Sequence, residues 1–316
     1  MKTILLCVAF AAAGCAMQSP STTPSVTLSE VTSSRSATLS SRAAPLSSRA
    51  ESRDATTPLL YIADGAANVV SVYKQSHHRK PIATIAAGVN TPQGLFVDTS
   101  LNVYVTNAHA QNVTVYPRGG AQPAQTLQDP TGIPIAVARC NDGTTYVANF
   151  FTLPLNPGDV AVYPAGAISP TYWIEYSHAA PRYLACDRAS HVYVSYEPRS
   201  GNGAVVRYDP GGRNGVQIPL DPGPIQVDAA GDIVIWDRGF TVDFYHPHHH
   251  KPFKQIPIPH GDIPNALALD RGDANLWLIV NFNEVLRISI GSGKVTGHLG
   301  PFSDNGTTGV ALSPPD

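Results

Sequence analysis

The chain has 316 residues, of which 43% are hydrophobic and only 14% charged, with 26 Gly and 28 Pro. That balance suits one large globular domain of short strands and many turns. A formal net charge of −2 supplies no basic field for nucleic acid, and only Cys140 and Cys186 fall in the part expected to fold, too few for a disulfide-built scaffold.

Met1-Lys2 gives a short positive start, and Ile4 to Ala13 is an apolar run too short to span a bilayer and suited to a signal segment. It ends in Ala12-Ala13-Gly14-Cys15, which resembles the bacterial lipobox, with Ala where Leu is usual three residues before the Cys. The resemblance implies removal of residues 1–14, lipidation at Cys15 and retention by lipid chains at the cell envelope, on the outer membrane or the periplasmic face. The alternative is an ordinary secretory signal cut near Ala16, giving a secreted protein. Residues 15–57 are rich in Ser, Thr, Ala and Pro and carry a weak seven-residue Ser-Ser-Arg repeat. They hold too little apolar surface to offset chain entropy and read as a disordered tether with a reach of roughly 35 Å.

From residue 58 to residue 316 one pattern recurs. Its clearest copies are Leu60–Asp64, Val103–Asn107, Thr145–Asn149, Val192–Tyr196, Ile233–Asp237 and Leu276–Val280, with centres 41 to 47 residues apart. A period of that length made only of strands points to propeller blades. A strand precedes each of these and two follow, so each unit has four, lettered A to D from the axis outward. The last A strand, Thr308–Ser313, has no successor. It is expected to pair with residues 60–63 and complete the first blade, giving an all-β, six-bladed propeller with no open edge.

The run from Pro92 to Tyr116, with Gly94-Leu95-Phe96-Val97-Asp98 and Asn102-Val103-Tyr104-Val105-Thr106-Asn107, resembles NHL-type repeats and the related gluconolactonase-like propellers. In that family a divalent cation sits in the central channel on Glu, Asn and Asp ligands. The matching positions here lie near Gln93, Ile133, Arg182, Gly223, Asn265 and Thr308. Asn265 alone fits, and Arg182 would repel a cation. No cofactor is therefore expected, with a divalent cation as the alternative for a divergent metal-dependent lactonase or lyase. A streptogramin-lyase-like reading would draw on His178, His260 and Glu197, whose spacing carries no motif.

His246, His248, His249 and His250 offer imidazoles to Zn²⁺, Ni²⁺ or Cu²⁺, but they fall in a C–D loop, and consecutive His residues rarely face one ion. They read as a solvated loop with adventitious metal affinity at most. With Lys74, His77, His78, Arg79 and Lys80 they would form a basic rim.

Ligands of propellers usually meet the face of D–A and B–C loops. There the strand ends place Asp64, Asn107, Asn149, Tyr196 and Asp237 in a ring, each with a competing role as a turn cap. The long loops Phe150–Gly158 and Glu197–Gly203 add Phe150, Phe151, Glu197 and Arg199, and Arg182 and Asn265 complete the candidate ligand-binding set. Cys140 and Cys186 end neighbouring A strands, where a disulfide competes with the preferred reading of two buried thiols. The expectation is a monomeric, extracytoplasmic binding or scaffold module for a protein or glycan, with no catalytic residue assigned.

Overall fold

The computed structural model describes residues 57–76, 80–129, 132–152, 156–176, 179–198, 203–259, 261–302 and 306–313. All regular structure among them is strand. Blade one joins β1 (Leu59–Asp64), β2 (Val69–Lys74) and β3 (Ala83–Ile85) to the last strand, β25 (Thr307–Ser313). Blade two is β4 (Pro92–Val97), β5 (Val103–Asn107), β6 (Asn112–Tyr116) and β7 (Gln125–Gln128). Blade three is β8 (Gly132–Arg139), β9 (Thr145–Thr152), the short β10 (Asn156–Pro157), β11 (Asp159–Tyr163) and β12 (Tyr172–Glu175). Blade four is β13 (Ala179–Cys186), β14 (Val192–Pro198), β15 (Ala204–Asp209) and β16 (Arg213–Ile218). Blade five is β17 (Ile225–Val227), β18 (Ile233–Ile235), β19 (Thr241–Tyr245) and β20 (Lys254–Pro257). Blade six is β21 (Pro264–Leu269), β22 (Asn275–Val280), β23 (Glu284–Ser289) and β24 (Val295–Leu299).

The first strands touch in the order β25, β4, β8, β13, β17, β21 and back to β25. They therefore ring the axis, and the fold is a six-bladed propeller. Closure runs as the repeat count requires: β25 pairs antiparallel with β1, with Leu59 opposite Ser313 and Ile62 opposite Val310.

Side chains alternate between the two faces of a strand, and each blade packs on a neighbour through both faces. Six apolar clusters fill the six seams, one per pair of adjacent blades. Middle strands such as β5 and β11 are buried along their whole length. That two-sided burial is why they read as continuous apolar runs and not as alternation.

The A–B turns lie on the face opposite the candidate site. Asp98, Asp187, Asp228 and Asp270 cap these turns, each accepting the N–H of a residue four or five further on. In blade three Cys140 takes this position. It is joined to Cys186 by a disulfide with a Cα–Cα distance of 5.4 Å, so the preference for two thiols is corrected. Adjacent inner strands bring equivalent strand ends within bonding reach, a cross-blade proximity that spacing along one chain does not display. The same turns are also tied by Asn141 Nδ2 donating to the Arg188 carbonyl (3.1 Å) and Asp142 N–H donating to Ser190 Oγ (2.9 Å).

Candidate functional site

The inner strands share an irregularity near the loop-rich face. In β4, β8, β13 and β21 the register slips just after a proline, between Pro92 and Leu95, Pro134 and Ala136, Pro181 and Tyr183, and Pro264 and Ala266. Proline cannot donate to the ladder and the next residue is bulged, which re-aims its side chain. The bulged residues include Gln93, Ile135, Arg182 and Asn265. In blade three the equivalent position is thus Ile135, where spacing alone suggested Ile133.

At the bulge of blade four Arg182 makes the densest polar cluster on this face. Its Nη1 lies 3.1 Å from Glu197 Oε2, and its Nε donates to the Tyr183 hydroxyl at 3.1 Å. Its guanidinium lies 5.6 Å from the Phe150 ring centroid. Arg238 Nη2 approaches the other oxygen, Glu197 Oε1, at 3.7 Å, while Arg238 Nε donates to the Pro222 carbonyl. Glu197 therefore stands between two guanidinium groups, one largely enclosed (17% exposed) and one half in solvent (48%). Tyr183, then Glu197, hold Arg182 even more firmly protonated than usual against the opposing effect of burial. Burial is the main cause that raises the Tyr183 hydroxyl, so it stays neutral and accepts from Arg182 Nε. The cluster carries one net positive charge beside an aromatic wall. Its half-exposed Arg238 can attract a carboxylate or sulfate, and its rings can stack a sugar or aromatic side chain.

Strands, not loops, supply much of this patch. Phe150 and Phe151 belong to β9, which runs past β11 and pairs with β10, and their rings meet edge to face at 4.7 Å. Glu197 belongs to β14, paired opposite Ala180. The Trp236–Thr241 turn adds Arg238, with a positive φ of 67°, and Phe240, which is 77% exposed. Arg238 and Tyr183 were missed by sequence reasoning, although an Arg following the repeated Asp237 was a usable signal.

Other members of the expected ring serve the fold. Asn107 is fully buried: its Oδ1 accepts Asn90 N–H at 2.9 Å, and its Nδ2 donates to Asn112 Oδ1 and Thr114 Oγ1, both at 2.9 Å. Tyr196 is fully buried, stacked on Tyr176, with its hydroxyl 3.0 Å from that of Tyr208. Asp64 caps its own turn through Ala67 N–H, and Asn265 Oδ1 accepts Phe282 N–H. Asp237 accepts from the Tyr245 hydroxyl at 3.3 Å, and burial raises its pKa. Asn149 is fully buried and donates to Asp159. Cys15, His77, His78, Arg79, His178, Arg199 and His260 lie outside the described residues.

On the opposite face His246, His248, His249 and His250 are all exposed. His246 Nδ1 meets Asp232 at 2.8 Å, and its ring stacks on Phe253. Among the described residues no group of three or more His, Cys, Asp or Glu side chains is placed to hold a metal ion.

No protein-family model and no curated protein matches the sequence. Solved structures share the fold. A chain in the crystal structure of a nidogen/laminin complex is 16% identical, with a TM-score of 0.63, covering 81% of this chain and 98% of that one. A protein of unknown function from Bacteroides caccae is 12% identical, with a TM-score of 0.57 and the same coverages. A streptogramin B lyase is 13% identical, with a TM-score of 0.56, covering 79% of this chain and 82% of that one. Identities this low speak for the fold alone. These neighbours include a chain from a protein–protein complex and a lyase.

Proposed function

We propose that this chain is an extracytoplasmic, lipid-anchored propeller that binds a protein or glycan partner at the mouth of blades three to five. The observation that carries this reading is the Arg182–Glu197–Arg238 chain beside Phe150. Guanidinium, carboxylate and aromatic groups supply the contacts that dominate recognition surfaces. The exposed ring of Phe240 extends the patch. An Arg at the inner-strand bulge, where the lactonase-like family places oxygen ligands, opposes the alternative of metal-dependent lactone or lyase chemistry there.

The test uses the full chain in a detergent-solubilised form against arrayed acidic glycans and cross-linked envelope proteins. Arg238→Ala, at a half-exposed side chain, should weaken a captured partner at least about tenfold without changing stability. Lactone turnover that is abolished by chelation would overturn the binding reading. For the anchor, Cys15→Ser should move the protein from the detergent phase to the aqueous phase, and an unmodified Cys15 in the wild type would sink that part.

A further inference from the structure

The seam between blades two and three holds acidic groups that the partner-binding reading does not use. Asp129 follows β7 and is 0% exposed, and among the described residues neither oxygen of its carboxylate has a hydrogen-bond partner. Its backbone N–H is spent on the Gln111 carbonyl. Asn149 is also 0% exposed, and among the described residues its Oδ1 has no partner. Its Nδ2 donates to Asp159 Oδ1 at 2.8 Å. Asp159 is 8% exposed and stands directly opposite Glu175 in the β11–β12 ladder. Like charges so placed repel.

Two buried carboxylates, Asp129 and Asp159, thus flank an amide, with the exposed Glu175 beside Asp159, and among the described residues none of the three is in an ion pair. Asp129 is influenced by the Asn149 amide, the Gly132 N–H, Tyr163 and the negative charge of Asp159, and by no cationic side chain. The polar groups approach without reaching hydrogen-bond geometry. A buried carboxylate with no compensation costs several kcal/mol. Two unpartnered carboxylate oxygens and an unpartnered amide oxygen, all from fully buried side chains, form a donor set made only of oxygen. That set suits a hard cation. Ca²⁺ sheds water readily and tolerates irregular geometry, whereas Mg²⁺ keeps several waters. Enclosure of these side chains therefore favours Ca²⁺.

We propose that Asp129, Asp159 and the Asn149 side-chain oxygen bind one hard divalent cation of the Ca²⁺ class in the seam between blades two and three. The site is built from the end of an outer strand and from the middle strands of the next blade, not from the inner strands that ring the axis. Gly132 packs directly against the Asn149 amide: a Cβ there would fall 2.1 Å from Asn149 Cγ, so only glycine lets the amide lie in the seam. Bound cation would tie two blades through charge and stabilise the folded ring.

The full chain, stripped with chelator, is titrated with terbium, a luminescent Ca²⁺ analogue excited through tyrosine. Tyr163 lies close enough to interact with Asp129 and would serve as sensitiser. Saturable emission displaced by Ca²⁺ more readily than by Mg²⁺ is expected, together with a rise in Tm of at least about 3 °C on adding Ca²⁺. Asp129→Asn and Asp159→Asn should each weaken terbium binding at least about tenfold, and circular dichroism checks their folding. Should one of them fail to fold, the other decides. No saturable emission and no Tm response to millimolar Ca²⁺ would overturn the site. So would binding undiminished in both variants, or stabilisation by acid alone with no response to Ca²⁺.

Discussion

The seams on either side of blade two are built at the same repeat positions and differ in charge. In the seam between blades one and two, Asn107 ends β5 opposite Asn112, and every polar atom of its side chain is used by Asn90, Val105, Asn112 and Thr114. In the seam between blades two and three, Asn149 stands in the position of Asn107 and Asp159 in that of Asn112. Gly132, two residues before Pro134, takes the place of Asn90, two residues before Pro92. The neutral set is closed. Among the described residues the acidic set leaves oxygens of Asp129 and Asn149 unpartnered. A repeat position thus fixes where a side chain sits but not whether it is satisfied, and an unsatisfied copy in an otherwise closed ring marks a place for something else.

Breaking the neutral seam should have the largest effect. Asn107→Leu strands the Asn90 N–H together with Asn112 and Thr114, and about 4 kcal/mol of stability should be lost in urea unfolding. A loss below about 1 kcal/mol would mean that the amide network is not what closes this seam.

Blade three differs from blade two in a second way, being bonded covalently to blade four through Cys140 and Cys186, 46 residues apart. Reduction, or Ser at both positions, should lower stability by about 3 kcal/mol. Unfolding curves with and without reductant measure it.

Removing the buried charge should act with the opposite sign. Burial pushes the Asp129 carboxyl up from 3.8 to about 6. With a raised folded pKa, its contribution is most favourable below pH 4 and is lost as pH rises through about 6. Metal-free protein should therefore gain stability from this group between pH 7 and pH 4, by up to about 3 kcal/mol. Asp129→Asn should flatten that dependence and raise stability at pH 7 by about 2 kcal/mol. An unchanged pH profile in the variant would show that the carboxyl is solvated after all. The smallest effect tests whether one acid is enough: Asn112→Asp copies the Asp159 position into the neutral seam. Because Asn107 can still donate to it, the loss should be about 1 kcal/mol.

The blade count, the four-strand unit and the closure by β25 were all legible in the sequence, because two-sided burial writes a strong apolar signal into every middle strand. The Arg182–Glu197 pairing was only half legible. Phe150, Arg182 and Glu197 stood out by chemistry, but Arg238 and Tyr183 join them through a bulge and a turn that have no fixed period. Asp129 and Asp159 were invisible as a pair. They lie in different blades, and Asp129 belongs to the D–A connection, the least regular part of each repeat. The disulfide was legible only as an alternative, since Cys140 and Cys186 are 46 residues apart and meet only across a seam.

The closing ladder also sets an order of events. Blade one cannot be finished by the residues made first, because its inner strand is β25, seven residues near the other end of the sequence. Until those residues emerge, β1 keeps an unpaired edge and the inner strand of blade six lacks its contact with β25. A chain cut short in synthesis would therefore display an open, sticky strand instead of passing as a slightly smaller propeller, so the ring acts as its own proofreading step for completeness.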